Sequence, residues 1–492
     1  MVLQQEMPIA IWGKATPGET VQVRLERIVK GQTSAASAEV MADQEGNWAV
    51  KLPKQLAGTD YTLTIKGDKN SIAFKNVAIG EVWLCSGQSN MEWSVNNCET
   101  PDQVKAGANN PNLRLFTVNK RTSVVPITDQ DDLKHFAKWV ESGPETVAGF
   151  SAVAYHFGQK LQKELGVPVG LIHSSWGGTP CEAWTSLEAL EGNPMLKYYA
   201  KTSTDAIIKY RDAKKVYDEA LAKWKVEVEK AKKDGKPLLK EPTKPAAPNP
   251  GTPTVLYNAM IYPLLNFKLR GAIWYQGESN ASRAYEYRTL FPTMIQDWRN
   301  RFHSELPFML VQLAPFGNGK AEEVSYAELR DAQLFATKQL PKVGMAVITD
   351  VGDEKDIHPK PKQPVGERLA IAALGIEYGQ KIEYSGPMLK DVKFKGSTAT
   401  LTFDHATGGL VAKDGELTGF SLVGSDDSIY PAKAVIKGDT IVVTTDMVSK
   451  VVGVRYGWVN FAKPTLNLYN GAGLPASPFR TDDLPLKTQP KK

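Results

Sequence analysis

Cysteine is scarce in this chain: three in 492 residues, Cys85, Cys98 and Cys181. They form no CxxC pair, and an odd number leaves at least one thiol unpaired. A framework of disulfides is therefore not what holds the fold, although one bridge is compatible with the count. The apolar setting of Cys85, in Val82-Trp83-Leu84-Cys85, predicts a buried thiol. No apolar run reaches the roughly 20 residues of a membrane-spanning helix, so membrane insertion is not expected. Met1-Val2-Leu3-Gln4-Gln5 lacks the charged and apolar regions of a signal peptide. A chain separated from its leader reads the same way, and the expected location is periplasmic or secreted. Excess charge is lacking too. A net charge of +5, with no basic tract interleaved with aromatics, gives no support for a nucleic-acid partner. HExxH and Cys/His clusters are absent, so neither a metal nor another cofactor is expected. Histidines number only six, which shortens the search for a catalytic base.

What is present is ordinary for a globular protein: 42% hydrophobic and 23% charged residues. The length exceeds a single core and predicts two to four domains. Residues 1–76 alternate apolar and polar positions, as in Val21-Gln22-Val23-Arg24-Leu25 and Trp48-Ala49-Val50-Lys51-Leu52, and predict a small β-sandwich. From 77 to 385 apolar runs (Val82 to Cys85, Val169 to His173, Gly271 to Tyr275, Phe308 to Leu313, Val343 to Thr349) alternate with helical patterns such as Ala152 to Leu165. That alternation predicts parallel strands with crossover helices, an α/β layer fold. Within it, about 205–253 reads as a charged amphipathic helix or helical hairpin followed by an exposed Lys/Pro-rich loop. From 386 to 492 the alternation returns and predicts a second β-domain.

Ser89 lies just beyond the carboxyl end of a predicted buried strand, in Gly87-Gln88-Ser89-Asn90-Met91. A glycine two residues before it lets the chain turn sharply, which is how a nucleophile is often presented. Capping a helix is the commoner use of such a serine. A serine hydroxyl attacks efficiently only when a base takes its proton. His135 and His156 fall in helical or loop patterns, His303 at a helix end, His405 in the C-terminal β-domain, and His173 at a strand end without a nearby acid. His358 differs: it follows a strand, in Asp353-Glu354-Lys355-Asp356-Ile357-His358-Pro359, among carboxylates. An imidazole base needs a carboxylate on Nδ1, and in an extended loop Asp356 projects to the same side as His358. Two further strand ends carry possible oxyanion donors: Trp176-Gly177-Gly178-Thr179, with paired glycines, and Trp274-Tyr275-Gln276-Gly277-Glu278-Ser279-Asn280, with an amide and a carboxylate. In open α/β sheets the ligand crevice lies at these carboxyl ends.

These four segments, in this order, resemble the sialate O-acetylesterase family of the SGNH (GDSL-like) hydrolases, which includes acetylxylan esterases. The likeness extends into the N-terminal β-segment and to Tyr456-Gly457-Trp458. It implies a three-layer α/β/α catalytic domain with a parallel sheet and metal-free ester hydrolysis. It implies Ser89 as nucleophile, His358 as base, and an oxyanion hole of the Ser89 N–H, a glycine N–H at Gly177 or Gly178, and the Gln276 side chain. The pattern departs at the acid, since Lys355 stands three residues before the histidine, where such enzymes carry Asp. Asp356 is the first choice, Asp353 the second, and a Ser–His dyad the third. Glu278, Asn90, Trp176 and Arg330 are expected to bind substrate. The expected activity is removal of acetyl groups from sugar hydroxyls, with O-acetylated sialic acid favoured. Its carboxylate would want an arginine (Arg283, Arg288 or Arg330). Acetylated xylan, which needs aromatic platforms more than a cation, is the alternative, and a non-catalytic glycan-binding protein is a third reading.

Overall fold

The computed structural model describes residues 1–128, 138–317 and 323–490. His135 lies outside the described residues. At the centre is a sheet whose strands run in the order Val343–Ala346, Phe308–Val311, Gly271–Tyr275, Ser71–Gly87, Val169–Ser175, Asn110–Thr117 and Val140–Ser142. All neighbours pair in parallel except the last two. Every residue of the Gly271–Tyr275 and Val169–Ser175 strands is buried, so both faces of the sheet are covered. This is why these strands read as unbroken apolar runs rather than alternating ones. Helices Ala152–Leu165 and Gln363–Ile376 pack against each other and against the sheet, and Ala284–Phe302 packs on Ser325–Gln339. The first of these begins where the Ser151 hydroxyl accepts from the Ala154 N–H at 3.1 Å and ends at Gly166, in the left-handed region. Gly366 lets its helix approach closely: a Cβ there would lie 2.6 Å from the Val153 carbonyl oxygen.

The Ser71–Gly87 strand serves two sheets. Its first half pairs antiparallel with Gly58–Lys66, and its second half lies inside the parallel sheet. The sequence boundary at 76–77 thus falls inside one continuous strand. The N-terminal strands enclose a core of Val23, Leu25, Leu52 and Leu63, and their burial alternates as the sequence does. Helix Lys197–Lys233 is long and mostly exposed, and residues 236–249 beyond it form no regular element. Beyond 387, two four-stranded antiparallel sheets enclose Leu401, Leu422, Ile441 and Val454.

Candidate active site

The chain turns at Gly87, whose φ of +142° is a backbone state that side chains rarely adopt. A Cβ there would collide with the Tyr275 carbonyl on the neighbouring strand. The turn leads into the short helix Ser89–Glu92 at the carboxyl edge of the sheet. The loop carrying His358 arrives from the far side of the sheet. His358 Nε2 lies 2.9 Å from Ser89 Oγ, although 269 residues separate them. Asp356 holds this loop: its Oδ1 accepts the His358 backbone N–H at 2.8 Å and stands 3.7 Å from Nδ1. Asp353 is occupied differently, accepting the N–H groups of Lys355 and Asp356. Trp93 stacks on the imidazole, with ring centroids 4.8 Å apart and planes inclined by 16°. Burial, then the nearby Lys362 ammonium, hold His358 below the ordinary imidazole value of 6.5, with Asp356 acting in the opposite sense. At neutral pH its imidazole is therefore in the proton-accepting form.

Ser89 and His358 open on a cleft of about 830 Å³ bordered by Trp93, Trp176, Gly177, Glu92 and Lys120. Lys120 lies over the Trp176 ring at 5.4 Å and pairs with Glu92 at 2.5 Å. The second oxygen of Glu92 accepts the Gly177 N–H at 2.6 Å, so a carboxylate of this chain already rests on one expected oxyanion donor. Gly178 follows with φ +75° and open space where a side chain would sit. His173 also borders the cleft. Its Nε2 is 2.6 Å from Ser175 Oγ, and burial lowers it to about 4.

Four expectations change. Gln276 does not face the cleft: it is fully buried, donates to Thr179 O and Asn280 Oδ1, and accepts from the Tyr287 hydroxyl. Its amide is spent on joining its own loop to the Thr179 segment and to Tyr287 of the Ala284–Phe302 helix. Arg330 is not a substrate ligand either, since its guanidinium is buried and donates to the carbonyls of Leu313, Ala314, Val459 and Asn460. Asn90 and Glu278 lie behind the pair rather than in front of it. Asn90 Nδ2 donates to Glu278 Oε1 at 2.6 Å and to the Ile357 carbonyl at 3.0 Å. Arg283 is tied to Glu182 and Tyr199, and Arg288 to Asp331. The sequence reading missed Glu92, Trp93, Lys120 and Lys362. Glu92 and Trp93 follow Ser89 within four residues, which is the one local signal. Lys362 sits in Lys360-Pro361-Lys362, where nothing marks one lysine as buried.

The fold is a parallel α/β sheet with added antiparallel sheets, and Ser89 and His358 meet at the carboxyl ends of its strands. A sequence profile described as "Carbohydrate esterase, sialic acid-specific acetylesterase" matches residues 79–235 and 248–375, and the chain belongs to that family. It is 30% identical to the sialate O-acetylesterase of Rattus norvegicus, over 97% of this chain and 92% of the rat protein. The Homo sapiens sialate O-acetylesterase is 29% identical over 97% of this chain and 90% of its own. Among solved structures, a carbohydrate acetylesterase from Xanthomonas citri is 36% identical and superimposes with a TM-score of 0.81, covering 98% of this chain and 97% of that one. The chain is a carbohydrate esterase of the sialate O-acetylesterase type.

Proposed function

We propose that this esterase releases acetate from sugar hydroxyls through a serine acyl-enzyme. The observation that carries the reading is the 2.9 Å approach of His358 Nε2 to Ser89 Oγ at the mouth of an open cleft. His358 takes the serine proton as Oγ attacks the acetyl carbonyl. The oxyanion that forms is held by the Ser89 and Gly177 N–H groups, once the Glu92 carboxylate has moved off the latter. His358 then gives its proton to the departing sugar hydroxyl. A water deprotonated by the same imidazole attacks the acetyl-serine and frees acetate. Gln276 has no part in this oxyanion site. Ser89→Ala is expected to lower kcat on an acetyl ester by roughly 10³-fold or more with the fold intact by circular dichroism. Turnover at the unaltered rate would end the reading.

Two sugars each have support. O-acetylated sialic acid is supported by the names of the mammalian relatives and by Lys120, a cation bordering the cleft. A neutral acetylated polysaccharide is supported by the arginines being committed elsewhere, by Glu92 already balancing Lys120, and by Trp93 and Trp176 along the cleft. Acetate release from both substrates, measured side by side, distinguishes them.

A further inference from the structure

Behind Ser89 and His358 lies a buried polar cluster that the acyl-transfer steps do not use. Lys362 is only 1% exposed. Its Nζ donates to Asn90 Oδ1 at 2.5 Å and stands 5.7 Å from the Trp93 ring centroid and 5.5 Å from that of Tyr275. The other end of the Asn90 amide reaches Glu278 and the Ile357 carbonyl. One side chain, on the residue after the nucleophile, thus grips the backbone just before the base, and one ammonium grips that side chain. Trp93 completes the enclosure by stacking on His358.

Taking an ammonium out of water costs several kcal/mol, and only good partners return it. Here the partners are an amide oxygen and two aromatic faces, while the second oxygen of Glu278 is buried with no hydrogen bond among the described residues. An apolar residue of similar length would fill this space at lower cost, so the charge is explained by what it does to its neighbours.

We propose that Lys362 is a positioning residue for the reaction: through Asn90 it fixes the Ile357–His358 backbone against the Ser89 turn, and its charge keeps the imidazole unprotonated and ready to accept. This rests on the acyl-transfer reading above. The titratable and charged groups around the pair are Asp356 on the His358 loop, Glu278 and Tyr275 from the neighbouring strand end, Cys98 beyond Lys362, and Glu92 across the cleft. Burial lowers Lys362 from 10.5 to about 7, against the opposing pull of Glu278, Asp356 and Cys98. His358 titrates below 6.5. The ammonium therefore carries its charge over the range in which His358 takes up a proton, and its repulsion moves that uptake to lower pH.

The test compares wild type with Lys362→Met and Lys362→Gln by two readouts across the acid limb of the pH profile. One is kcat and KM on an acetylated sugar, and the other is the rate at which a fluorophosphonate labels Ser89. Lys362→Met is expected to lower kcat and the labelling rate about tenfold, leave KM within about twofold, and move the acid limb to higher pH by about half a unit or more. Lys362→Gln, which keeps a donor for Asn90 but no charge, is expected to recover most of the rate and none of the shift. A Met variant with unchanged rate, or an acid limb that stays in place, overturns the proposal. Should Lys362→Met fail to fold, Lys362→Gln decides alone: a raised limb supports the role of the charge and an unmoved one overturns it. Labelling needs nucleophile and base but no sugar. Labelling without acetate release would therefore fault the acetylesterase reading, whereas unchanged pH dependence in both readouts faults Lys362.

Discussion

The acid beside His358 spends one oxygen on the histidine's own N–H and stands 3.7 Å from Nδ1, with its side chain 48% exposed. A carboxylate so placed steers the imidazole weakly, because water screens it and no short hydrogen bond fixes the ring. Asp356→Asn is expected to cost about tenfold in kcat, far below the roughly 10⁴-fold loss seen when a buried, hydrogen-bonded triad acid is neutralised. Steady-state kinetics on an acetyl ester measures the difference. Since His358 is held below 6.5, mainly by burial, the base form persists into mildly acidic solution. The acid limb of kcat/KM is expected below that value, with activity falling only as pH drops through it. If the Gly177 N–H serves the oxyanion as proposed, Glu92, which accepts it at 2.6 Å, competes with substrate for it. Glu92→Ala is accordingly expected to lower KM for an acetyl ester and to tighten inhibition by acetate, each by several-fold, on the order of one charge-assisted hydrogen bond. Of these candidate residues, Ser89 and His358 could be picked out because each sits in a short segment with its own chemical logic, and Asp356 was the first of three alternatives for the acid. Lys362 and Glu92 were not, since a lysine among prolines and a glutamate in a helical turn read as solvated surface.

At the level of elements, the decisive piece is the Ser71–Gly87 strand and the turn that ends it. It begins in an antiparallel sheet, ends in a parallel one, and delivers Ser89 beside the strand ends at Ser175 and Tyr275. Gly87→Ala places a Cβ against the Tyr275 carbonyl at a φ of +142°. It is expected to destabilise by about 3 kcal/mol or more, read as a lowered melting temperature with loss of activity. Parallel strands were legible because burial on both faces leaves unbroken apolar runs, and the helix Ala152–Leu165 because its cap and periodicity agree. The Gln32–Met41 strand was not: its alanines and serines lie largely exposed, so no alternation marks it, and pairing with Thr20–Val29 decides its state.

Across the whole molecule, separate cores are joined by a few buried polar links. Glu81, inside the shared strand, accepts from Arg270 at 2.6 Å, from the Tyr378 hydroxyl and from Gln4 on the Val2–Gln4 strand. Arg330 joins the chain after the Phe308–Val311 strand to the Val459–Asn460 loop through carbonyls on both sides, and burial lowers it to about 10. Arg330→Met removes the donor from four carbonyls and is expected to cost at least about 3 kcal/mol, seen as a lower apparent melting temperature, without a specific change in KM in the protein that remains folded. A KM effect alone would return Arg330 to the substrate. The sequence by itself determined the layered α/β core, the flanking β-segments and the Ser89 and His358 segments, because periodicity, turn glycines and local chemistry are written along the chain. Tertiary structure alone decided which polar groups face the cleft. Gln276, Arg330, Asn90 and Glu278 were turned inward and Glu92, Trp93 and Lys120 outward, because a side chain's direction is set by partners that only the folded chain brings beside it.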